Sequence, residues 1–447
     1  MKLEPVKPLI SEQQIRRTMQ LSVLEGVPGI CFIVGTTGSV ITGFALSLGS
    51  TPFQIGLISS IGLLGQLLTP LAAWLAGFFG RRKPLCVVLA FLGRVVWFPA
   101  LILPAVLPPE LRPILLLTVI TLSGLFNSSA GVLWLSWMGD VIPPGERGRF
   151  LGFRSGSLGV IAMLANLGAG ALIDRLARPL GFQMVLAVST VLGAISALML
   201  IAHTEPRTPQ PRNDLLTTLL EPFADPNFRR VLLFAVYWTF SVMLAAPFVI
   251  PYFLQQLRMS YTQIAILSVI GALCALVFAP MWGRIADRVG NKPMLQFTTL
   301  IAATLLPASW MLASPVTLLP IWIGAVIDAF ANTATGQGSF NLLLSSTAPI
   351  KRTAFVSAFF ATTGLAGFLG GVASGPILEA FSQPVFAISS LGLHWTGYHW
   401  LFLISALMRV QAWWFLKPIH EEGAWSMREM LTRKQMSRSQ RVDSRKP

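Results

Sequence analysis

Twelve apolar runs, each about 20 residues or longer, follow one another along this chain with only short polar loops between most of them. Each can cross a hydrocarbon core of ~30 Å at about 1.5 Å per residue, where backbone amides find no water and must bond within a helix. The runs cover roughly 19–47, 53–77, 84–107, 113–139, 150–174, 181–202, 230–256, 262–286, 293–313, 317–344, 353–381 and 397–416. With 54% hydrophobic and 11% charged residues among 447, the chain lacks the polar surface of a water-soluble globule. The expected fold is all-α and integral to a membrane. The first run is longer than the ~7 to 15 residues of a signal h-region, carries Glu25 and lacks a small-x-small cleavage site, so it is expected to remain as a span.

The order of the runs repeats. QIGLISSIGLLGQLLTPLAAWLAGFFGRRK, from Gln54 to Lys83, returns from Gln263 as QIAILSVIGALCALVFAPMWGRIADRVGNK, with a one-residue slip between Leu67 and Pro70. Three more segments recur in register. SGLFNSSAG from Ser123 matches DAFANTATG from Asp328, PPGERGRFLGF from Pro143 matches APIKRTAFVSA from Ala348, and GAGALID from Gly168 matches ASGPILE from Ala373. Between the copies lies the longest polar interruption, proline-rich from His203 to Arg230, which reads as a linker with a short surface helix over Leu215–Phe223. The expected parts are an N-terminal cytoplasmic segment (1–18), a six-helix bundle (19–202), a cytoplasmic linker (203–229), a second six-helix bundle (230–416) and a basic cytoplasmic tail (417–447).

A net charge of +15 matters here through its placement. With the N-terminus inside, 27 of the 33 Lys and Arg residues fall in cytoplasmic segments and four in the opposite loops. That asymmetry orients spans in a bilayer, so both termini are expected in the cytoplasm and the charge does not form a nucleic-acid surface. The expected setting is a bacterial inner (plasma) membrane, with the lipid bilayer as partner and no nucleic acid.

The loop after the eighth span, GRIADRVGNK, carries Gly283, Asp287, Arg288, Gly290, Asn291 and Lys292 in the pattern G-x-x-x-D-R-x-G-(R/N)-(R/K). On these residues, the twelve runs and the central linker, the chain resembles the major facilitator superfamily. The first-half copy of the loop keeps Gly80, Arg81 and Arg82 but has Ala73, Gly77 and Phe78 where the pattern has Gly, Asp and Arg. The resemblance implies two pseudo-symmetric six-helix bundles, a monomer, and a central cavity lined by spans one, four, seven and ten. It also implies a gate at the paired loops, in which Asp287 accepts bonds from a helix end or nearby arginines while Arg288 and Lys292 sit at headgroup depth. Those loop charges can equally be helix caps that obey the positive-inside rule. Gly367, Gly371 and Gly375 in span eleven, with Gly152 and Gly156 in span five, read as faces for close helix contact.

Charges inside spans are costly and mark function or a buried partner. Four matter: Glu25, Arg94, Asp328 and Arg409. Glu25 precedes Pro28 in span one, where the backbone is expected to open or kink, and it is either a proton or cation site or one end of an ion pair with Arg94 or a cytoplasmic arginine. Arg94 reads as a structural partner ahead of an anion ligand, and Arg409 is near enough to the inner end of span twelve to snorkel. Asp328 and Asn332 share a face of span ten with Thr335, and Ser123 and Asn127 hold the matching places in span four with Trp134 beyond. Under the resemblance these are two facing polar patches at mid-depth; the alternative is polar glue between helices. Tyr237 and Trp238 in span seven either pack or present aromatic surface to a solute.

No G-x-x-x-x-G-K-(S/T), H-E-x-x-H or C-x-x-C occurs, and Cys31, Cys86 and Cys274 are isolated in apolar spans. His394 and His399 have no partner spacing for a metal. The expected activity is not enzymatic and needs no cofactor or metal. It is the movement of a small solute by alternating access, proton-coupled or facilitative, with a transporter-like lipid mover, sensor or assembly factor as the alternative.

Overall fold

The computed structural model describes residues 11–68, 82–143, 146–205, 221–345, 352–383, 388–390, 393–421, 423–427 and 429. Gly80 and Arg81, residues 215–220 of the expected surface helix, the side chain of His394 and most of the basic tail lie outside the described residues.

Among the described residues, twelve principal helices follow one another. α1 runs over Glu12–Thr36 and resumes as Gly38–Ser47. α2 is Pro52–Ser60, tightening to a 3-10 helix over Ile61–Leu68, and α3 is Lys83–Val95, resuming as Phe98–Val106. α4 (Arg112–Val141), α5 (Arg147–Arg175) and α6 (Leu180–Met199) complete the first half. α7 (Pro226–Pro251), α8 (Tyr261–Val289), α9 (Asn291–Met311), α10 (Leu319–Ser345), α11 (Arg352–Phe381) and α12 (Gly397–Leu416) form the second. Nine of these are long and apolar enough to cross a membrane by length and composition, and α2, α10 and α12 complete the set. A small antiparallel hairpin, β1 (Ile388–Ser390) with β2 (Leu393–Trp395), precedes α12.

The helix starts are written locally. α2 and α8, the helices of the long repeat, both open on a reciprocal cap: Thr51 with Gln54, and Ser260 with Gln263. α1 opens the same way on Ser11 and Gln14, so its polar first turns are helical before the apolar run begins. Pro28 does not end α1; the break falls at Thr37, beside Gly38 at φ +58°. His399 lies in the first turn of α12, where its Nδ1 accepts from the Thr396 amide at 3.1 Å.

The two halves pack alike. α1 lies on α5 and α6, α3 on α4 and α6, and α2 on α4; the second half repeats each pairing with α7, α11 and α12, then α9, α10 and α12, then α8 and α10. Between halves, α2 meets α11 and α5 meets α8, two contacts that exchange under the same pseudo-twofold. Close approaches between the halves begin at the end of the bundle remote from the termini and continue inward along α2 and α11. A Cβ at Gly375 would stand 2.8 Å from the Phe53 amide nitrogen, and one at Gly170 would stand 2.8 Å from the Tyr261 carbonyl oxygen. Phe44, Ile55 and Phe182 from the first half share a buried cluster there with Phe248, Tyr261 and Leu378 from the second.

One expectation is corrected. Arg409 does not snorkel: it is 3% exposed, its Nη1 and Nη2 each 3.4 Å from the carbonyls of Ala302 and Val242, with its guanidinium over the Trp310 ring. α12 lies between α7 and α9, and the small side chains of Ala302 and Ala303 leave room for the guanidinium inside.

Candidate functional site

The first-half charges converge. A cavity of about 430 Å³ is walled chiefly by α1, α3, α4 and α5, and Glu25, Arg94 and Arg154 all line it. Glu25, 5% exposed, accepts a 2.8 Å hydrogen bond from Ser196 of α6 on Oε1, and its Oε2 is 3.6 Å from Arg154 Nη2. Arg154 also donates from Nε to the carbonyl and hydroxyl of Ser22, at 3.1 and 3.0 Å, and its guanidinium lies 4.4 Å from the Trp134 ring centroid. Glycines allow this convergence: a Cβ at Gly26 would meet Leu158 and Arg154, and one at Gly29 would stand 2.9 Å from Ser196 Oγ. α1 can therefore approach α5 and α6 closely enough for both partners to reach Glu25.

Arg94 is placed differently. Its guanidinium lies 5.9 Å from the Phe32 ring, and its Nε and Nη1 are buried with no acceptor among the described residues. The Trp134 indole nitrogen is buried without one as well. Two guanidinium groups thus stand against one carboxylate.

Ser123 and Asn127 line the same cavity while tying α4 to the break in α3. Trp97 N bonds to Arg94 O, one residue short of the α-helical register, which frees the carbonyl of Gly93. Ser123 Oγ donates to that carbonyl at 2.6 Å and Asn127 Nδ2 at 3.0 Å, while the Trp97 indole donates to Ser123 Oγ at 2.8 Å. Both alternatives read from the sequence, cavity lining and interhelical glue, describe these two side chains at once.

The second-half residues divide. Asn332 and Trp238 line a separate cavity of about 450 Å³, with Thr335, Thr363 and, from α2, Leu63 and Gln66. Asp328 accepts from Asn332 Nδ2 at 2.6 Å and feels the charge of Arg409, but does not line that cavity. Tyr237 points elsewhere, donating to Gln411 Oε1 at 2.6 Å against the Phe415 ring on α12. The two cavities share no described lining residue, so the polar patches of α4 and α10 are not brought into one site.

At the loop between α8 and α9, Asp287 and Arg288 are exposed, and Asp287 makes no hydrogen bond or ion pair among the described residues. Gly283 lies one turn earlier on α8, and Gly290, at φ +97°, turns the chain into α9. Glu421 then caps α9, accepting from the amides of Asn291 and Lys292 at 2.9 and 2.7 Å and from Asn291 Nδ2 at 2.8 Å. Lys292 Nζ donates to the carbonyls of Lys417 and Ile419. In the first half Glu205 likewise caps α3, accepting from the amides of Arg82 and Lys83 on one oxygen, while Lys83 Nζ donates to the His203 carbonyl. Arg154, Ser196, Glu205 and Glu421 were not singled out from sequence. The two glutamates could have been: His203-Thr204-Glu205 and Ile419-His420-Glu421 occupy matching places after the sixth and twelfth spans.

A profile of the Major Facilitator Superfamily matches residues 29–372. Among solved structures, a D-xylose–proton symporter superposes with a TM-score of 0.70 at 15% identity, covering 92% of this chain and 98% of that one. The nucleoside transporter NupG gives a TM-score of 0.67 at 15% identity over 93% of this chain and 100% of its own. The multi-drug resistance efflux pump PmrA of Streptococcus pneumoniae is 24% identical over 202 residues, 43% of this chain and 46% of the pump. The chain therefore matches about half the length of its curated relative, while the structural likeness extends over the whole fold. On a profile match covering more than half of its length and a twelve-helix, pseudo-twofold architecture, the chain belongs to the Major Facilitator Superfamily.

Proposed function

We propose that this integral membrane protein moves a small solute by alternating access, its two six-helix halves rocking about the cavities between and within them. The observation that carries this reading is the seam: close approaches between halves run from the end remote from the termini to mid-depth, above two solute-sized cavities. With the termini in the cytoplasm of a bacterial inner membrane, this conformation is inward-facing. Glu25 is the coupling residue, because its partner Arg154 lies on another helix and protonation would release it. Ser123, Asn127 and Trp134 offer the solute hydrogen bonds and an aromatic wall on one side, and Asn332 and Trp238 on the other. Asp328 acts on that second site through Asn332, and the protein works as a monomer. The test is solute flux in proteoliposomes with and without a pH gradient. Accumulation against a solute gradient only when the pH gradient is present supports proton coupling, and equilibration without it supports a facilitator. Absence of flux for every solute, with lipid crossing instead, would overturn the reading.

A further inference from the structure

We infer that the cavity beside Glu25 takes a small organic anion, holding its acidic group on Arg94 and its apolar body against Trp97, Trp134 and Ile33. This rests on the transport reading and names the solute class for that site. The charge inventory carries the inference. Arg154 has its counter-ion in Glu25 and further acceptors on Ser22. Arg94 feels the charge of Glu25 but has no ion-pair contact or acceptor of its own among the described residues: its Nε and Nη1 are buried at the cavity wall, and the side chain packs on an aromatic ring. A buried guanidinium is costly unless an anion or strong acceptor meets it. A carboxylate matches its donor fork in two parallel bonds. The unpaired indole N–H of Trp134 is a second donor on the same cavity. A cation would be repelled by two guanidinium groups, and a neutral solute would leave Arg94 unanswered. The volume, about 430 Å³, falls within the range of small-molecule sites.

The same geometry couples the anion to a proton. The groups facing Glu25 are Arg94 and Cys86 from α3, Arg154 from α5 and Ser196 from α6, with Asn127 and Trp134 of α4 across the cavity. When Glu25 takes up a proton, Arg154 loses its counter-ion and joins Arg94 as a donor to the solute. One proton and one monovalent anion then enter together, so the charge of the cavity is the same empty and loaded.

The experiment is calorimetric titration of the purified full-length protein with three probes of one shape: 2-naphthoate, 2-naphthamide and 2-naphthylmethylammonium. Naphthoate should bind about tenfold or more tightly than the amide, and the ammonium weakest. The preference should widen from about pH 7.5 to about pH 5.5, and Glu25→Gln should remove that pH dependence while keeping tight binding at the higher pH. Arg94→Gln should reduce the preference for naphthoate over naphthamide to about threefold or less, with Arg94→Lys retaining part of it. Should Arg94→Gln not fold, Trp134→Phe, which removes one N–H and no charge, should still weaken naphthoate more than naphthamide. Tighter binding of the amide or ammonium, a preference untouched by Arg94→Gln, or no binding of any probe at millimolar concentration would overturn the inference. If naphthoate binds as expected but no solute crosses in proteoliposomes, the transport reading fails and the anion site stands. If other solutes cross while none of the three binds, transport stands and the anion site fails.

Discussion

Glu25 and Arg154 are joined by an ion pair whose side chains are 6% and 18% exposed, so its value depends on both partners staying together. Removing one end of such a pair costs about 3–5 kcal/mol where burial is complete, because the remaining charge is stranded, whereas removing both can be nearly neutral. Arg154→Ala should therefore unfold in detergent at a lower temperature than the Glu25→Gln/Arg154→Ala double variant. The reverse order would mean that the pair is not coupled. His203, just beyond α6, gives a second residue-scale expectation. Burial pushes its imidazole below its ordinary value, the nearby charges of Lys83 and Arg154 add to this, and its hydrogen bond to the Met199 carbonyl opposes it. A folded state that prefers neutral histidine is favoured above the unfolded value near 6.5 and loses that advantage as pH falls below it. The thermal midpoint should drop from pH 7 to pH 5, and His203→Gln should flatten the decline.

Helices three and nine are held at their starts by carboxylates from the chain just past helices six and twelve, a feature duplicated with the fold. A carboxylate on the free amides at a helix start contributes about 0.5–2 kcal/mol, so Glu205→Ala and Glu421→Ala should each lower the stability of purified protein by an amount of that order. Asp287 contrasts with them. Being exposed and unpartnered among the described residues, it adds little to this conformation. Asp287→Asn should therefore cut transport far more than membrane expression, because a latch would act only when the ends near the termini close. Equal loss of both would make it a structural charge. The elements themselves were legible because the bilayer makes every span a long apolar run, and because the order of the runs repeats. The site was half legible. Glu25 and Arg94 stand out as charges in apolar runs, but Arg154 reads from sequence as one more cytoplasmic cation, and its reach into the cavity depends on Gly26, whose role appears only when α1 meets α5. Arg409 was misplaced for a related reason: depth in a span is readable, but which face turns inward is set by the neighbouring helices.

The whole molecule is symmetric in backbone and asymmetric in charge, and its closed seam shows where that matters. Asp174 at the end of α5 binds the start of α8 across the halves, accepting from the amides of Tyr261 and Thr262 at 3.0 and 2.8 Å and from the Thr262 hydroxyl at 2.6 Å. Its counterpart Glu379, at the end of α11, faces a helix that starts with Pro52, which has one N–H fewer to offer, and its side chain is exposed. The α2–α11 seam closes instead by contact of small residues, with Gly375 against the backbone of Pro52 and Phe53. Among the described residues, the α5–α8 seam alone is closed by charge-assisted hydrogen bonds, and these must break for the remote end to open. Losing them, at about 1.5–3 kcal/mol for a charged acceptor, should raise the open fraction by about tenfold or more. Spin labels at Glu110 and Val316, on the remote loops of the two halves, would read this as a longer-distance population in Asp174→Ala. Gly170→Leu, which drives a side chain into the Tyr261 carbonyl, should shift the distances the same way by sterics. Glu379→Ala should leave them unchanged. A shift with Glu379→Ala equal to that with Asp174→Ala would show that both seams respond to charge alike, and unchanged distances in both Asp174→Ala and Gly170→Leu would show that the α5–α8 seam does not hold this conformation.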